Sequence, residues 1–134
     1  MEKELIKLAM EMRKKAYCPY SGYSVGAALL AESGKIYTGC NVENASYGVT
    51  NCAERTAVFK AVSEGERRFT MIAIAGGTEG SASFAWPCGV CRQVLREFCD
   101  PAQMKVIVCR SEDDYKSFTL EELLPESFGP DFRD

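Results

Sequence analysis

The sequence contains no histidine. That absence excludes Ser-His-Asp and Cys-His nucleophile systems, and every metal site that depends on imidazole. An excess of positive charge is also missing: 16 Lys and Arg against 19 Asp and Glu leave a formal net charge of −3. No diffuse basic field is available to grip a phosphate backbone, so nucleic acid is not an expected partner. No apolar run approaches the length that spans a bilayer, so no membrane partner is expected. The N-terminal stretch MEKELIKLAMEMRKK is interrupted by charges and lacks the apolar core of a secretory signal. There is no internal repeat, low-complexity tract or linker.

What remains is an ordinary globular composition, 134 residues with 46% hydrophobic and 26% charged side chains. A chain of this length reads as one domain, 1–134, with 126–134 as a C-terminal tail, and it needs no disulfide staples to fold. Seven cysteines are present, an odd number at uneven spacing. With no secretory signal in view, they point to a reducing cytoplasm and to thiols used for metal or catalysis.

Apolar residues at helical spacing, Leu5, Ile6, Leu8, Ala9, Met12 and Ala16, predict a helix over 2–16. Strands over 23–31 and 36–42, joined by a turn at 32–35, predict a hairpin. A polar stretch at 41–51 follows. Asn51 is positioned to cap a helix running to about Ser63, with Gly65 at its end. Residues 69–75 read as a strand, 76–86 as a glycine-rich loop, and 88–99 as a helix with Pro87 in its first turn. A strand at 106–108 and a short one at 115–118 complete the pattern. Thr119 and Glu122 fit a capping box before a last short helix. The alternation asks for a three-layer α/β/α fold around a mixed sheet of about five strands.

Two helix starts carry the chemistry: Asn51-Cys52-Ala53-Glu54-Arg55 and Pro87-Cys88-Gly89-Val90-Cys91. Brought together, they present three thiolates and one carboxylate to a single point, at helix ends whose dipoles favour thiolate. Three soft sulfur ligands suit zinc and leave a fourth position for water. Three thiolates also give the metal an excess of negative charge. Arg55 is the candidate to offset it by donating to the sulfurs. With no histidine, a carboxylate is the natural base for the bound water. Glu54 stands beside a ligand without having to be one.

The pattern Cys-Ala-Glu followed by Pro-Cys-x-x-Cys resembles the signature of the zinc nucleobase and nucleoside deaminases. The usual first ligand is His. Cys52 in its place is similar to the small three-cysteine cytidine deaminases of free nucleosides. Pro19-Tyr20-Ser21, Val25-Gly26-Ala27-Ala28-Leu29, the run from Gly39 to Ala45, and Glu121-Glu122-Leu123-Leu124-Pro125 with Phe128 agree with that family. The likeness runs over 13–128. It implies one Zn²⁺ per subunit on Cys52, Cys88 and Cys91, and Glu54 as the proton shuttle. It implies Asn41 and Glu43 on the ribose hydroxyls, the Ala53 backbone on the base edge, and Tyr23 where the family usually stacks Phe on the pyrimidine. It further implies a homotetramer in which Phe128, and with it Tyr47, completes a neighbour's site. The substrates implied are cytidine and 2′-deoxycytidine, in pyrimidine salvage. Trp86 and Thr50 depart from the common pattern, and Trp86 is placed to narrow the approach to the site.

Blander readings stand beside these. Trp86-Pro87-Cys88-Gly89-Val90-Cys91 is also similar to a thioredoxin-like redox turn, which leaves Cys52-Ala53-Glu54 unexplained. A closed structural zinc site would need a fourth ligand such as Cys40 or Cys109, which read more simply as small buried thiols. Cys18 and Cys99 read the same way. Outside the family context, Asn41 and Glu43 are turn residues, and Tyr23 and Phe128 are core or lid aromatics.

Overall fold

The fold was read from a computed structural model, which describes residues 1–131; the last three residues of the expected tail, 132–134, lie outside the described residues. The element order is α1 (Glu2–Met12), β1 (Tyr23–Ala31), β2 (Ile36–Cys40), α2 (Ala53–Ser63), β3 (Phe69–Thr78), α3 (Gly89–Arg96), β4 (Lys105–Ser111), β5 (Asp114–Thr119) and α4 (Leu120–Leu123). A 3-10 turn at Arg13–Lys15 prolongs α1, which accounts for the helical periodicity reaching residue 16.

The strands form one five-stranded sheet in the order β2-β1-β3-β4-β5. Only β3 and β4 pair in parallel; the other neighbours are antiparallel. The sheet is mixed, as expected. Side chains alternate across it, so β1 supplies both cores. Ala28 faces α1 together with Ala73, Ala75 and Ile107, where Leu5, Ile6 and Ala9 pack. Ala27 and Leu29 face the other way, against Ala53, Ala57, Val58 and Ala61 of α2 and Leu95 of α3. These are the three layers.

The topology brings the two cysteine-bearing segments together. β2 and β3 are both antiparallel to β1, so they run in the same direction. The helices that follow them, α2 and α3, therefore begin at the same edge of the sheet, where open α/β sheets bind ligands. Gly39 of β2 tightens this arrangement, because a Cβ there would collide with the Ala53 carbonyl. The first turn of α2 can rest directly on the strand only because the side chain is missing.

Several boundaries differ from expectation. β2 stops at Cys40, and Val42 forms isolated bridges to Tyr17 and Asn51 instead. That bridge holds Asn51 extended, so Cys52 takes the N-cap position of α2, and the Asn51 amide donates to the Thr56 hydroxyl at 3.0 Å. Pro87 precedes the N-cap of α3, which is Cys88, and the helix ends at Arg96 rather than 99. β3 continues through Gly76 and Gly77 to Thr78, pairing with Val25, Ser24 and Tyr23. The glycines permit a close approach: a Cβ on Gly76 would meet Ala85 at 2.5 Å and the Tyr23 ring at 3.1 Å. β4 and β5 are each longer than their apolar cores suggest. The Thr119–Glu122 capping box is present.

The part of the tail that is described folds back on α3. Arg96 donates to the Ser127 hydroxyl at 2.8 Å and to the Pro130 carbonyl at 2.5 Å. Gln93 donates to the Phe128 carbonyl at 2.9 Å. No helix among the described residues is long and apolar enough to cross a membrane.

Candidate active site

At the shared edge, the sulfurs of Cys52, Cys88 and Cys91 lie within 4.8 Å of one another. Cys52 Sγ and Cys88 Sγ are 3.9 Å apart. Two thiolates at ~2.3 Å from a tetrahedral zinc are ~3.8 Å apart, so the spacing fits that ion. The local folding explains the convergence. Cys52 and Cys88 are the N-caps of α2 and α3, and Cys91 lies one turn into α3, where its N–H donates to Cys88 Sγ at 3.4 Å.

The donor chemistry also asks for a cation. The Cys91 thiol, with help from the Arg55 guanidinium and Cys88, holds Cys52 down to about 5. Cys91 in turn is pushed far up, first by its hydrogen bond to Cys52 and then by burial. Three neighbouring sulfurs cannot all ionise without a positive charge among them, which a divalent metal supplies.

Arg55 Nη2 donates to Cys52 Sγ at 3.2 Å, as its place in the sequence suggests. Its Nε is buried without a hydrogen-bond partner among the described residues, although the residue as a whole is only partly buried. Replacing Arg55 with Gln removes the charge while keeping a donor. The expected result is a zinc affinity weakened about 10- to 100-fold, read by competition with a chromogenic chelator. Unchanged affinity together with an unchanged pH–rate profile would reduce Arg55 to a packing residue.

Glu54 is 4% exposed. Burial pushes its carboxyl up to about 7, against the pull of its own backbone N–H. It lines a cavity of about 410 Å³ together with Cys52, Cys88, Ala53, Asn41 and Tyr23, a size suited to a small-molecule ligand. Asn41 is fixed from both ends of its amide: Oδ1 accepts from Val25 N at 2.9 Å and Nδ2 donates to the Tyr23 carbonyl at 2.9 Å. One lone pair and one N–H remain for a ligand. The Tyr23 hydroxyl bonds Ser83 at 2.7 Å, tying β1 to the loop opposite.

Not every expected residue enters this cavity. Glu43 lines an adjoining hollow of about 300 Å³ with Tyr20, Ser21, Tyr47 and Thr50, and Thr50 borders both spaces. Phe128 and Tyr47 are 89% and 72% exposed, and neither lines the cavity beside the sulfurs. Cys40 and Cys109 bond the carbonyls of Lys15 and Ile74. Among the described residues they do not join the sulfur cluster, so the closed four-cysteine site lacks its fourth ligand.

The far wall was not anticipated as a whole. Phe84 and Ala85 join Trp86 there. Phe84 is held by Arg110 and Lys116, 4.5 and 4.7 Å from its ring centre, and Trp86 packs on Phe118 at 5.3 Å. The available signal was an apolar, aromatic triplet directly before Pro87-Cys88, inside an otherwise small and polar loop.

Fold and site define the class: a three-layer α/β/α protein with a three-sulfur cluster, two of whose members line one cavity with a buried carboxylate. Residues 1–109 match the cytidine and deoxycytidylate deaminase zinc-binding region, and the chain belongs to that family. A cytidine deaminase of Sporosarcina psychrophila is 51% identical over 126 residues, 94% of this chain and 90% of the relative. One from Halalkalibacterium halodurans is also 51% identical, over 92% and 91%. The crystal structure of cytidine deaminase from Burkholderia pseudomallei has a TM-score of 0.85 at 45% identity, covering 96% of this chain and 99% of that one. The Mycobacterium tuberculosis structure has a TM-score of 0.80 at 39% identity, over 96% and 98%.

Proposed function

We propose that this chain hydrolyses cytidine and 2′-deoxycytidine to the corresponding uridines, releasing ammonia, with one zinc per subunit. The observation that carries the reading is the convergence of three sulfurs, two of which, Cys52 and Cys88, line one cavity with the buried Glu54 carboxylate.

Cys52, Cys88 and Cys91 would hold the zinc, which when bound would supply a water made nucleophilic near neutral pH. Glu54 would accept a proton from the attacking water as its oxygen bonds to C4 of the pyrimidine, and would deliver that proton to N3. It would then take the proton of the new C4 hydroxyl and pass it to the amine as the C4–N4 bond breaks and the C4 carbonyl forms, so water and cytidine become uridine and ammonia. A carboxyl poised near neutrality by burial suits both acceptance and release. The Ala53 backbone meets the base edge, and Tyr23 offers its ring face to the pyrimidine. Asn41 and Glu43 take the ribose hydroxyls, so orientation is fixed before chemistry. Trp86 narrows the approach.

Phe128 and Tyr47 complete a neighbouring subunit's site in a homotetramer, and both are exposed enough to reach a second copy. A cytoplasmic place in pyrimidine salvage accords with free thiols and a nucleoside substrate.

The test is ammonia release from cytidine and, in parallel, from cytidine 5′-monophosphate, with metal-loaded and chelated protein. Release from cytidine alone, abolished by chelation, is expected. No release from either, with zinc tightly bound, would mean that the metal is structural.

A further inference from the structure

Glu43 is held in an unusual way for a half-exposed carboxylate. Its Oε1 accepts two backbone hydrogen bonds from one turn, Tyr20 N at 3.0 Å and Ser21 N at 3.1 Å. Its Oε2 accepts from the Ser21 hydroxyl. That same hydroxyl accepts from Tyr23 N at 3.0 Å. The turn is shaped for this by Gly22, whose φ of +68° favours glycine.

We infer that Ser21 is a positioning residue for sugar recognition, its hydroxyl joining the Glu43 carboxylate to the start of β1 so that sugar and base contacts are set as one unit. This deepens the proposed function and rests on its reading of Glu43 as a ribose contact.

A hydroxyl has one proton to donate, and Ser21 commits it to Glu43. Its acceptor side is committed to the backbone of Tyr23, whose ring lines the catalytic cavity. Asn41, two residues before Glu43, is tied to the same segment through Val25 N and the Tyr23 carbonyl. Both candidate sugar ligands are thus referenced to β1 through short hydrogen bonds. The three bonds to Glu43 favour its ionised form, Ser21 contributing most, which leaves the carboxylate an acceptor aimed at hydroxyl donors. Without Ser21, Oε2 is released and the side chain regains rotamers that must be lost again on binding. A solvated turn serine would not need both of its hydrogen-bonding roles filled by these two partners.

The experiment compares Ser21→Ala, Ser21→Thr and Glu43→Ala using cytidine and 2′,3′-dideoxycytidine, which lacks the 2′- and 3′-hydroxyls. The quantity read is the ratio of kcat/KM for the two substrates. Ser21→Ala should lower that preference about tenfold, through a higher KM for cytidine with kcat little changed, and Ser21→Thr should restore it. If Glu43→Ala erases the preference but Ser21→Ala keeps it, the inference about Ser21 is overturned while the sugar reading of Glu43 stands. If Glu43→Ala itself leaves the preference intact, the sugar reading fails and takes this inference with it. An equal loss on both substrates in Ser21→Ala would assign Ser21 to the placement of Tyr23 alone and overturn the link to Glu43, as would a threonine variant behaving like alanine.

Discussion

Glu54→Gln is expected to leave a folded protein that still binds zinc but turns over cytidine at least ~10³-fold more slowly. The substitution keeps the side chain's shape where the residue is 4% exposed, so packing and the adjacent ligands are preserved. What it removes is the ability to accept a proton. Among the described residues, the other titratable side chains on the cavity are Cys52, Cys88 and Tyr23, whose hydroxyl is bonded to Ser83, and the chain has no histidine to substitute. The wild-type rate should also fall on the acid side, because a carboxyl raised to about 7 by burial takes a solvent proton before it can take the water's. In the Gln variant that limb should vanish from the residual rate. Metal content, a thermal melt and a pH–rate profile on both proteins make the check. Near-wild-type turnover would remove Glu54 from the mechanism.

The parts of this site visible in the sequence are those governed by local rules. Period-3.6 and period-2 patterns locate α1, β1 and the start of β2 closely, because each has one face against a core and one toward solvent. The three clustered cysteines stand out by spacing, since a metal site constrains residue type and separation together. Features set by tertiary contact were less legible. Gly76 and Gly77 suggest a loop, yet they continue β3 by pairing with Val25 and Ser24, and neither has room for a Cβ, Gly76 against Ala85 and Tyr23 and Gly77 against Ser81 and Ala82. Asn51 has the side chain of a cap, but its bridge to Val42 fixes it one residue too early. Phe84 looks like a loop aromatic until Arg110 and Lys116, on β4 and β5, are folded against it. Each miss is a case where a distant segment chose among locally permitted conformations.

Cys88→Ala is expected to abolish zinc retention and, with it, activity, while leaving the sheet and both cores intact. Cys88 is the exposed member of the three sulfurs and belongs to neither core cluster, so its loss opens no buried cavity. Its structural duty is to accept from Cys91 N at the start of α3, and losing such a cap costs about 1 kcal/mol. The larger effect is on the metal. Two sulfurs and Arg55 make a poor zinc site, because the guanidinium 3.2 Å from Cys52 Sγ offsets the charge of three thiolates but opposes the cation when only two remain. Zinc affinity should fall by more than the ~100-fold expected of an outer-shell change, and turnover by at least ~10³-fold. Thermal melting separates the two duties. Zinc stabilises only the native state, so chelating the wild type should lower its Tm. The variant's Tm should lie near that of the chelated wild type and should no longer respond to chelator. Since the thiols must release protons to bind, chelation of the wild type should also become easier as the pH is lowered. A Cys88→Ala protein that keeps stoichiometric zinc would show that another side chain completes the site, and the three-cysteine assignment would have to be abandoned.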